Sequence, residues 1–140
     1  MKLRDPEYTD YKWMAEAYAD WPAHESHGII TEQKVMDFLR RWKVRGDIKC
    51  RVMQDIEPLG FITYRQKFVV CTVENLVVRP KYRGHGVSKK IILALRDELM
   101  KQGVVAAEFK TLPGIIRNQL GKRYQDLGDG RGRLTWDMEI

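Results

Sequence analysis

A short basic segment with two glycines, residues 78–90 (VRPKYRGHGVSKK), is the part of the sequence best suited to bind an anion. It lies between an apolar run typical of a strand and an apolar run typical of a helix. Backbone N–H groups at a helix start have no intrahelical partner, and Gly84 and Gly86 let the backbone approach a ligand closely. The segment has no acid and five cations, which favour a ligand with several phosphates: Arg79, Lys81, Arg83, Lys89 and Lys90. The alternative is a solvated basic connection between two elements.

A single acid, Glu74, interrupts the apolar run at residues 68–78. An acid in such a strand is costly unless it pairs with a cation, faces water or serves chemistry. Strand alternation predicts that Glu74 shares a face with Thr72 and Leu76. A carboxylate in this place is a candidate general base. The alternatives are an acid on a solvated strand face and one partner of a salt bridge.

The segment WPAHESHG, residues 21–28, combines an aromatic side chain with titratable groups. Two histidines three residues apart with one carboxylate would suggest zinc, but no third and fourth ligand is visible, so we expect no metal. The simpler interpretation is a surface loop with one buried tryptophan. The aromatic and titratable residues of the segment are Trp21, His24, Glu25 and His27.

The positive charge of the chain is concentrated in two places. The net charge is +6, and the cationic excess lies in residues 40–51 and residues 79–90 rather than along the whole chain. The first cluster (RRWKVRGDIKCR) surrounds Trp42, which makes nucleic acid an alternative partner. The simpler interpretation is a solvated helix end, where cations are favourable. Its cations are Arg40, Arg41, Lys43, Arg45, Lys49 and Arg51.

These candidate residues require a mixed arrangement of helices and strands. The hydrophobic periodicity predicts, in order, a strand, two helices, three strands, a helix, a strand, a helix over residues 115–125 and a final strand. The first helix follows Asp10 and the second follows Thr31, both good N-cap residues. This order predicts one α/β domain spanning residues 1–140, with helices on both faces of a sheet.

The sequence also predicts a cellular compartment. The start of the chain lacks the apolar core of a signal peptide, and no apolar run is long enough to span a bilayer. Cys50 and Cys71 lie in strand-like runs without metal-ligand spacing, which indicates buried free thiols in a reducing compartment. We therefore expect a cytoplasmic protein with no membrane partner. A homodimer is compatible with the sequence, which does not fix the oligomeric state.

The basic segment resembles the acyl-CoA-binding signature of the GNAT N-acetyltransferase superfamily. It reads Arg83-Gly84-His85-Gly86-Val87-Ser88, after the frequent lead-in Val78-Arg79-Pro80-Lys81-Tyr82. The resemblance implies that this loop and Lys89 hold the pyrophosphate of acetyl-CoA, the acyl donor. Ser88 replaces the usual Gly or Ala and is expected to alter the phosphate contacts slightly. The fold implied is GNAT-like, with mostly antiparallel N-terminal strands and a splayed central strand pair.

Two further stretches resemble the same family. VENLVV is similar to its fourth strand, which implies that the backbone of Leu76, Val77 and Val78 pairs with the pantetheine arm and the acetyl carbonyl. The resemblance also implies a base role for Glu74. It further implies that Trp21, His24, Glu25 and His27 line one wall of the acceptor site, because their segment lies where the first two helices of the family meet. YQDLG, residues 124–128, is similar to a late motif that implies Tyr124 as the acid for the CoA thiolate and Asn118 as a cofactor contact. Asp129 stands where that motif commonly has Phe.

The resemblance implies an acetyl-CoA-dependent N-acetyltransferase acting on a primary amine of a small molecule or protein. One alternative keeps the enzyme and makes the acceptor a nucleic acid, either an aminoacyl-tRNA or a modified base. Another is a catalytically idle acyl-CoA-binding module, which Asp129 and the short spacing between Asn118 and Tyr124 would favour.

Overall fold

The computed structural model describes residues 1–19, 32–46, 48–109, 124–128 and 131–136. Within these ranges the chain forms seven strands and three α-helices. The strands are β1 (Lys2–Arg4), β2 (Ile48–Gln54), β3 (Pro58–Lys67), β4 (Val70–Val78), β5 (Ala106–Phe109), β6 (Tyr124–Gly128) and β7 (Arg131–Thr135). The helices are α1 (Tyr11–Ala19), α2 (Glu32–Arg45) and α3 (Val87–Met100).

The strands form one sheet in the order β1-β2-β3-β4-β5-β7-β6. Strands β4 and β5 are parallel, and every other neighbouring pair is antiparallel. The parallel pair follows from the connection through α3, because a helical crossover returns the chain in the same direction. The predicted mixed, mostly antiparallel sheet is confirmed.

Helices cover both faces of this sheet. Successive residues of β3 point to opposite faces. The ring of Phe61 meets the ring of Trp13 in α1, with centroids 5.9 Å apart. Its neighbour Gly60 faces Ile91 of α3. Because both faces are covered, β3 is buried without interruption from Leu59 to Tyr64.

Gly60 lies where β3 and β4 approach each other most closely, so we expect Gly60→Ala to destabilise the fold. A Cβ at this position would be 2.4 Å from the carbonyl oxygen of Val77. Because that neighbour is backbone, the strands must separate, at a cost of about 1–3 kcal/mol or more. Urea unfolding measures the loss. Gly103→Ala is the comparison, because its added Cβ lies in open space and costs only the strain of a left-handed φ of 83°, about 1 kcal/mol. An equal loss in both variants would contradict the predicted overlap.

The start of α1 is fixed by a buried carboxylate. Asp10 is only 2% exposed and accepts hydrogen bonds from both terminal nitrogens of Arg4, at 2.7 and 2.8 Å. It also accepts the indole N–H of Trp13 at 2.9 Å and the backbone N–H of Glu7 at 2.7 Å. Burial alone would raise the pKa of Asp10, but these hydrogen bonds outweigh burial and hold the pKa below its ordinary value.

The lowered pKa predicts how acid affects stability. A carboxyl whose folded pKa is depressed stabilises the fold above its unfolded pKa, and the contribution is lost as the pH falls through the folded value. We therefore expect Asp10→Asn to cost about 3 kcal/mol at pH 7, since it leaves Arg4 without its charge partner. The difference from wild type should narrow below about pH 4. Urea unfolding at several pH values tests this, and a constant difference would be inconsistent with it.

The predicted helix over residues 115–125 is wrong at its C-terminal end. Tyr124 begins strand β6, which pairs antiparallel with β7, and Tyr124 lies opposite Leu134. Pairing with β7 satisfies the backbone groups of β6 that helical hydrogen bonds would otherwise have satisfied. Residues 115–123 lie outside the described residues. None of the described helices has the length and apolarity needed to cross a bilayer.

Candidate functional site

Among the described residues, β4 and β5 pair over only part of β4, which leaves an opening in the sheet beyond the last pair. The two strands pair from Val70 opposite Ala106 to Val73 opposite Phe109. Strand β4 continues beyond that last pair through residues 74–78, while β5 ends at Phe109. The side chains of Leu76, Val77 and Val78 are buried in the core. A ligand that enters the opening would therefore contact the backbone of this part of β4, along its edge toward β5.

Glu74 lies in a β-bulge at the start of this opening. Thr63 of β3 pairs with Asn75 and Tyr64 pairs with Val73, so Glu74 is the extra residue of β4. The bulge breaks the strand alternation, because two residues of one strand oppose a single residue of its partner. This overturns the predicted shared face. Thr72 pairs with Arg65 of β3, and Leu76 pairs with Ile62. Arg65 and Ile62 are three positions apart, so their side chains point to opposite faces of the sheet. Thr72 and Leu76 therefore also lie on opposite faces.

The carboxylate of Glu74 forms an ion pair with Arg65 of β3. Their Oε1 and Nε atoms are 3.3 Å apart, and the Glu74 side chain is only 15% exposed. Next to it, the amide of Asn75 donates to the buried hydroxyl of Thr63 at 3.0 Å. The bulge thus holds a mostly buried carboxylate that is paired with β3. Sequence reasoning missed Arg65, whose partner is set by the bulge.

The glycine loop connects the end of β4 to the start of α3. A short 3₁₀ turn, Pro80–Tyr82, follows Arg79. Gly84 has φ 84° and Gly86 has φ 74°, angles that L-residues with a Cβ adopt at a cost. Gly86 is the N-cap of α3, and the N–H of Lys90 donates to its carbonyl at 3.2 Å.

The first turn of α3 offers backbone donors to a ligand. Glycine has no side chain with which to cap a helix, so the amides of Val87, Ser88 and Lys89 receive no cap from Gly86. Val87 and Ser88 are buried, whereas Lys89 and His85 are exposed. The chain therefore places a cluster of backbone N–H groups and an exposed ammonium at one helix end, which is suited to an anion.

Arg83 holds the loop rather than pointing freely into solvent. Its Nε donates to the carbonyl of Val78 at 2.9 Å, and its guanidinium also donates to the carbonyl of Ala17 in α1 at 3.3 Å. The side chain thereby ties the loop to β4 and to α1. A lysine would not make this contact pattern, because only the planar guanidinium donates in several fixed directions.

Two of the cations predicted for phosphate binding have protein partners instead. Lys81 forms an ion pair with Glu57 and lowers the pKa of that carboxyl. Arg79 lies 3.8 Å from the same carboxylate, donates to the carbonyl of Pro58 at 3.0 Å and stacks over Trp13. Tyr82 also donates its hydroxyl to Glu57. The cationic excess of the loop is therefore smaller than the sequence suggests, because Glu57 approaches from the β2–β3 connection.

The structure brings together part of the predicted site. Glu74, residues 76–78 and the loop at residues 83–89 lie along one continuous path from β4 to α3. Tyr124 lies on β6, separated from β5 by β7. Asn118, Trp21, His24, Glu25 and His27 lie outside the described residues. Among the described residues, no group of histidine, cysteine or acidic side chains is arranged to hold a metal ion.

Comparison with protein families identifies the same region. The model of the acetyltransferase (GNAT) family matches residues 11–113. The matched range includes β4, the glycine loop and α3, and it ends before Asn118 and Tyr124. No curated protein matches the chain in sequence.

Solved structures share the fold at low sequence identity. An N-acetyltransferase from Staphylococcus aureus Mu50 has a TM-score of 0.73 and 13% identity, covering 98% of each chain. PaiA N-acetyltransferase from Thermoplasma acidophilum, in complex with coenzyme A, has a TM-score of 0.68 and 13% identity, covering 96% of this chain and 98% of that one. YncA from Salmonella typhimurium, a putative acetyltransferase with its cofactor acetyl-CoA, has a TM-score of 0.69 and 14% identity, covering 100% and 96%.

Proposed function

The chain belongs to the acetyltransferase (GNAT) family, and we propose that it transfers the acetyl group of acetyl-CoA to a primary amine of a small molecule or a protein. The observation that carries the proposal is the glycine loop, which has two left-handed glycines and opens α3 directly after β4. Two of the structurally similar proteins contain coenzyme A or acetyl-CoA, in agreement with this donor. No metal takes part in the proposed reaction.

The donor is proposed to bind along β4 and the loop. The amides of residues 84–89 receive the pyrophosphate, with Lys89 and His85 at the exposed rim and Asn118 as a further contact. The pantetheine arm pairs with the backbone of Leu76, Val77 and Val78, where β4 extends beyond its pairing with β5. Arg83 acts indirectly, because its bonds to Val78 and Ala17 fix the loop.

The acyl transfer needs one proton removed and one supplied. The neutral amine attacks the thioester carbonyl carbon, a C–N bond forms, and the C–S bond then breaks. We assign removal of the amine proton to Glu74, directly or through a water molecule, because this mostly buried carboxylate belongs to the residue that directly follows the last described pair of β4 with β5. The departing thiolate takes its proton from Tyr124.

Tyr124→Phe tests the acid role, because it retains the ring and removes the hydroxyl. We expect kcat to fall about 10²-fold with little change in melting temperature. The assignment rests on the sequence motif, since Tyr124 is in a strand rather than the predicted helix. Steady-state kinetics measure the effect, with Tyr8→Phe as a control on an exposed tyrosine near the N-terminus. Wild-type turnover by the Tyr124 variant would mean that the thiolate is protonated by water or by the amine.

The acceptor is proposed to contact the segment with Trp21, His24, Glu25 and His27. A panel of small amines, peptides and RNAs incubated with acetyl-CoA identifies the acceptor by release of free CoA thiol. Release with amines or peptides supports the proposal, and release with RNA alone would favour the nucleic-acid acceptor. Binding of acetyl-CoA without release on any acceptor would favour the idle module.

The buried thiols of Cys50 and Cys71 support a cytoplasmic location.

A further inference from the structure

A basic cleft lies at the end of the sheet opposite to the glycine loop. It has a volume of about 480 Å³ and is lined by Gly46, Lys49, Arg65, Gln66, Lys67, Phe68 and Gln102. Strand β4 is 9 residues long and runs from this end to the loop, so roughly 26 Å separates the two. The cleft is therefore distinct from the path proposed for acetyl-CoA.

The residue beside the cleft that the fold explains least is Phe68. It is the first residue of the two-residue turn between β3 and β4, its side chain is 85% exposed, and its φ is 56°. Glycine, asparagine or aspartate normally occupies such a left-handed turn position. The ring is therefore accessible, and its backbone conformation is costly for a residue with a Cβ. An accessible ring beside a basic cleft is suited to stack on a flat group of a ligand.

The charges around Phe68 favour an anion. Lys49, Arg65 and Lys67 line the cleft, and its described lining contains no acid. Arg65 also pairs with Glu74, so the lysines are the main cations that a ligand would meet. Gly46 of the lining directly follows α2, whose last turns carry exposed Arg40 and Arg41. These two belong to the basic cluster of residues 40–51, which the proposed transfer reaction does not use.

We propose that this cleft binds a single-stranded nucleic acid, with a base stacked on Phe68 and phosphates on Lys49 and Lys67. Unpaired bases offer a face to an aromatic ring, and their backbone follows a positive groove. The exposed amide of Gln102 supplies donors and an acceptor for base edges. A duplex keeps its bases stacked away from such a ring, and an acidic peptide would satisfy the cations but leave Phe68 unused. The proposal does not rest on acetyl transfer, although the cleft shares Arg65 with the proposed base Glu74.

Phe68→Gly is the decisive variant, because glycine removes the ring and relieves the left-handed backbone. We expect the fold to be retained and the affinity for a fluorescent 12-nucleotide oligouridylate to fall about tenfold. Phe68→Trp should retain the affinity. Lys49→Gln and Lys67→Gln should each reduce the slope of log Kd against log salt by about 0.7. Fluorescence anisotropy measures all of these, in the presence of saturating acetyl-CoA so that the glycine loop does not compete.

Matched controls separate this site from general charge attraction. Lys12→Gln removes an exposed lysine of α1, which does not line the cleft, and should change the affinity less than twofold. Ile56→Gly removes a 99% exposed apolar side chain elsewhere and should change nothing. Equal affinity of wild type and Phe68→Gly would overturn the proposal. So would equal or tighter binding of a duplex, of oligoglutamate or of anionic phospholipid vesicles.

Discussion

Gly86→Val is expected to abolish the rise in melting temperature that saturating acetyl-CoA gives to the wild-type protein. A ligand bound by the native state raises its stability by mass action, so loss of the rise reports loss of binding. Gly86 has φ 74°, and a β-branched residue adopts this angle only with strain. The loop must change its backbone angles, and the amides of α3 then no longer converge on the pyrophosphate.

The variant should nevertheless fold, because nothing lies within 4 Å of a Cβ built on Gly86. Gly103→Val is the matched control. Gly103 follows the C-terminal end of the same helix, has φ 83° and has equally open surroundings. Both variants should lose similar stability without ligand, while only Gly86→Val loses the response to acetyl-CoA. A full response in Gly86→Val would remove the glycine loop from the donor site.

Glu74→Gln is expected to lower kcat about 10³-fold, within the range that general acid–base catalysis supplies. The amide keeps the shape of the side chain but cannot accept a proton from the amine. Affinity for acetyl-CoA should change little, because the proposed contacts of the donor are backbone groups of β4 and the loop. The deficit should shrink as the pH rises, because more of the acceptor amine is then already deprotonated. Steady-state kinetics from pH 7 to pH 10 test both expectations.

A control for Glu74→Gln must also remove a carboxylate that forms an ion pair in the central strands. Glu108 of β5 forms an ion pair with Arg133 and lies opposite Thr72 of β4. Glu108→Gln therefore removes a comparable ion pair without removing the proposed base, and it should leave kcat within about threefold of wild type. If Glu74→Gln retains full activity at neutral pH, or if both variants lose activity equally, Glu74 is a structural salt-bridge partner.

The sequence alone determined the features that depend on local chemistry. A strand, a glycine pair and a helix follow one another in residues 70–100, and this local order predicted both the loop and the left-handed backbone at Gly84 and Gly86. Hydrophobic periodicity predicted the order of elements through β5, because it too is a property of each local segment of the sequence. The family resemblance rests on the same contiguous residues, and the family match includes them.

Only the tertiary structure decided which residues meet across the sheet. Two neighbouring residues of β3 pair with two residues of β4 that have Glu74 between them, so Glu74 forms a bulge. In this bulge the carboxylate of Glu74 pairs with Arg65. Glu57 lies in the connection between β2 and β3, more than twenty positions before Lys81. Its ion pair with Lys81 reduces the positive charge that the loop offers to a ligand. Tyr124 became a strand residue because β7 was available as a partner. Each of these three features depends on contacts between segments that are distant in the sequence. A local window of sequence does not contain both partners of such a contact, so it cannot predict the contact.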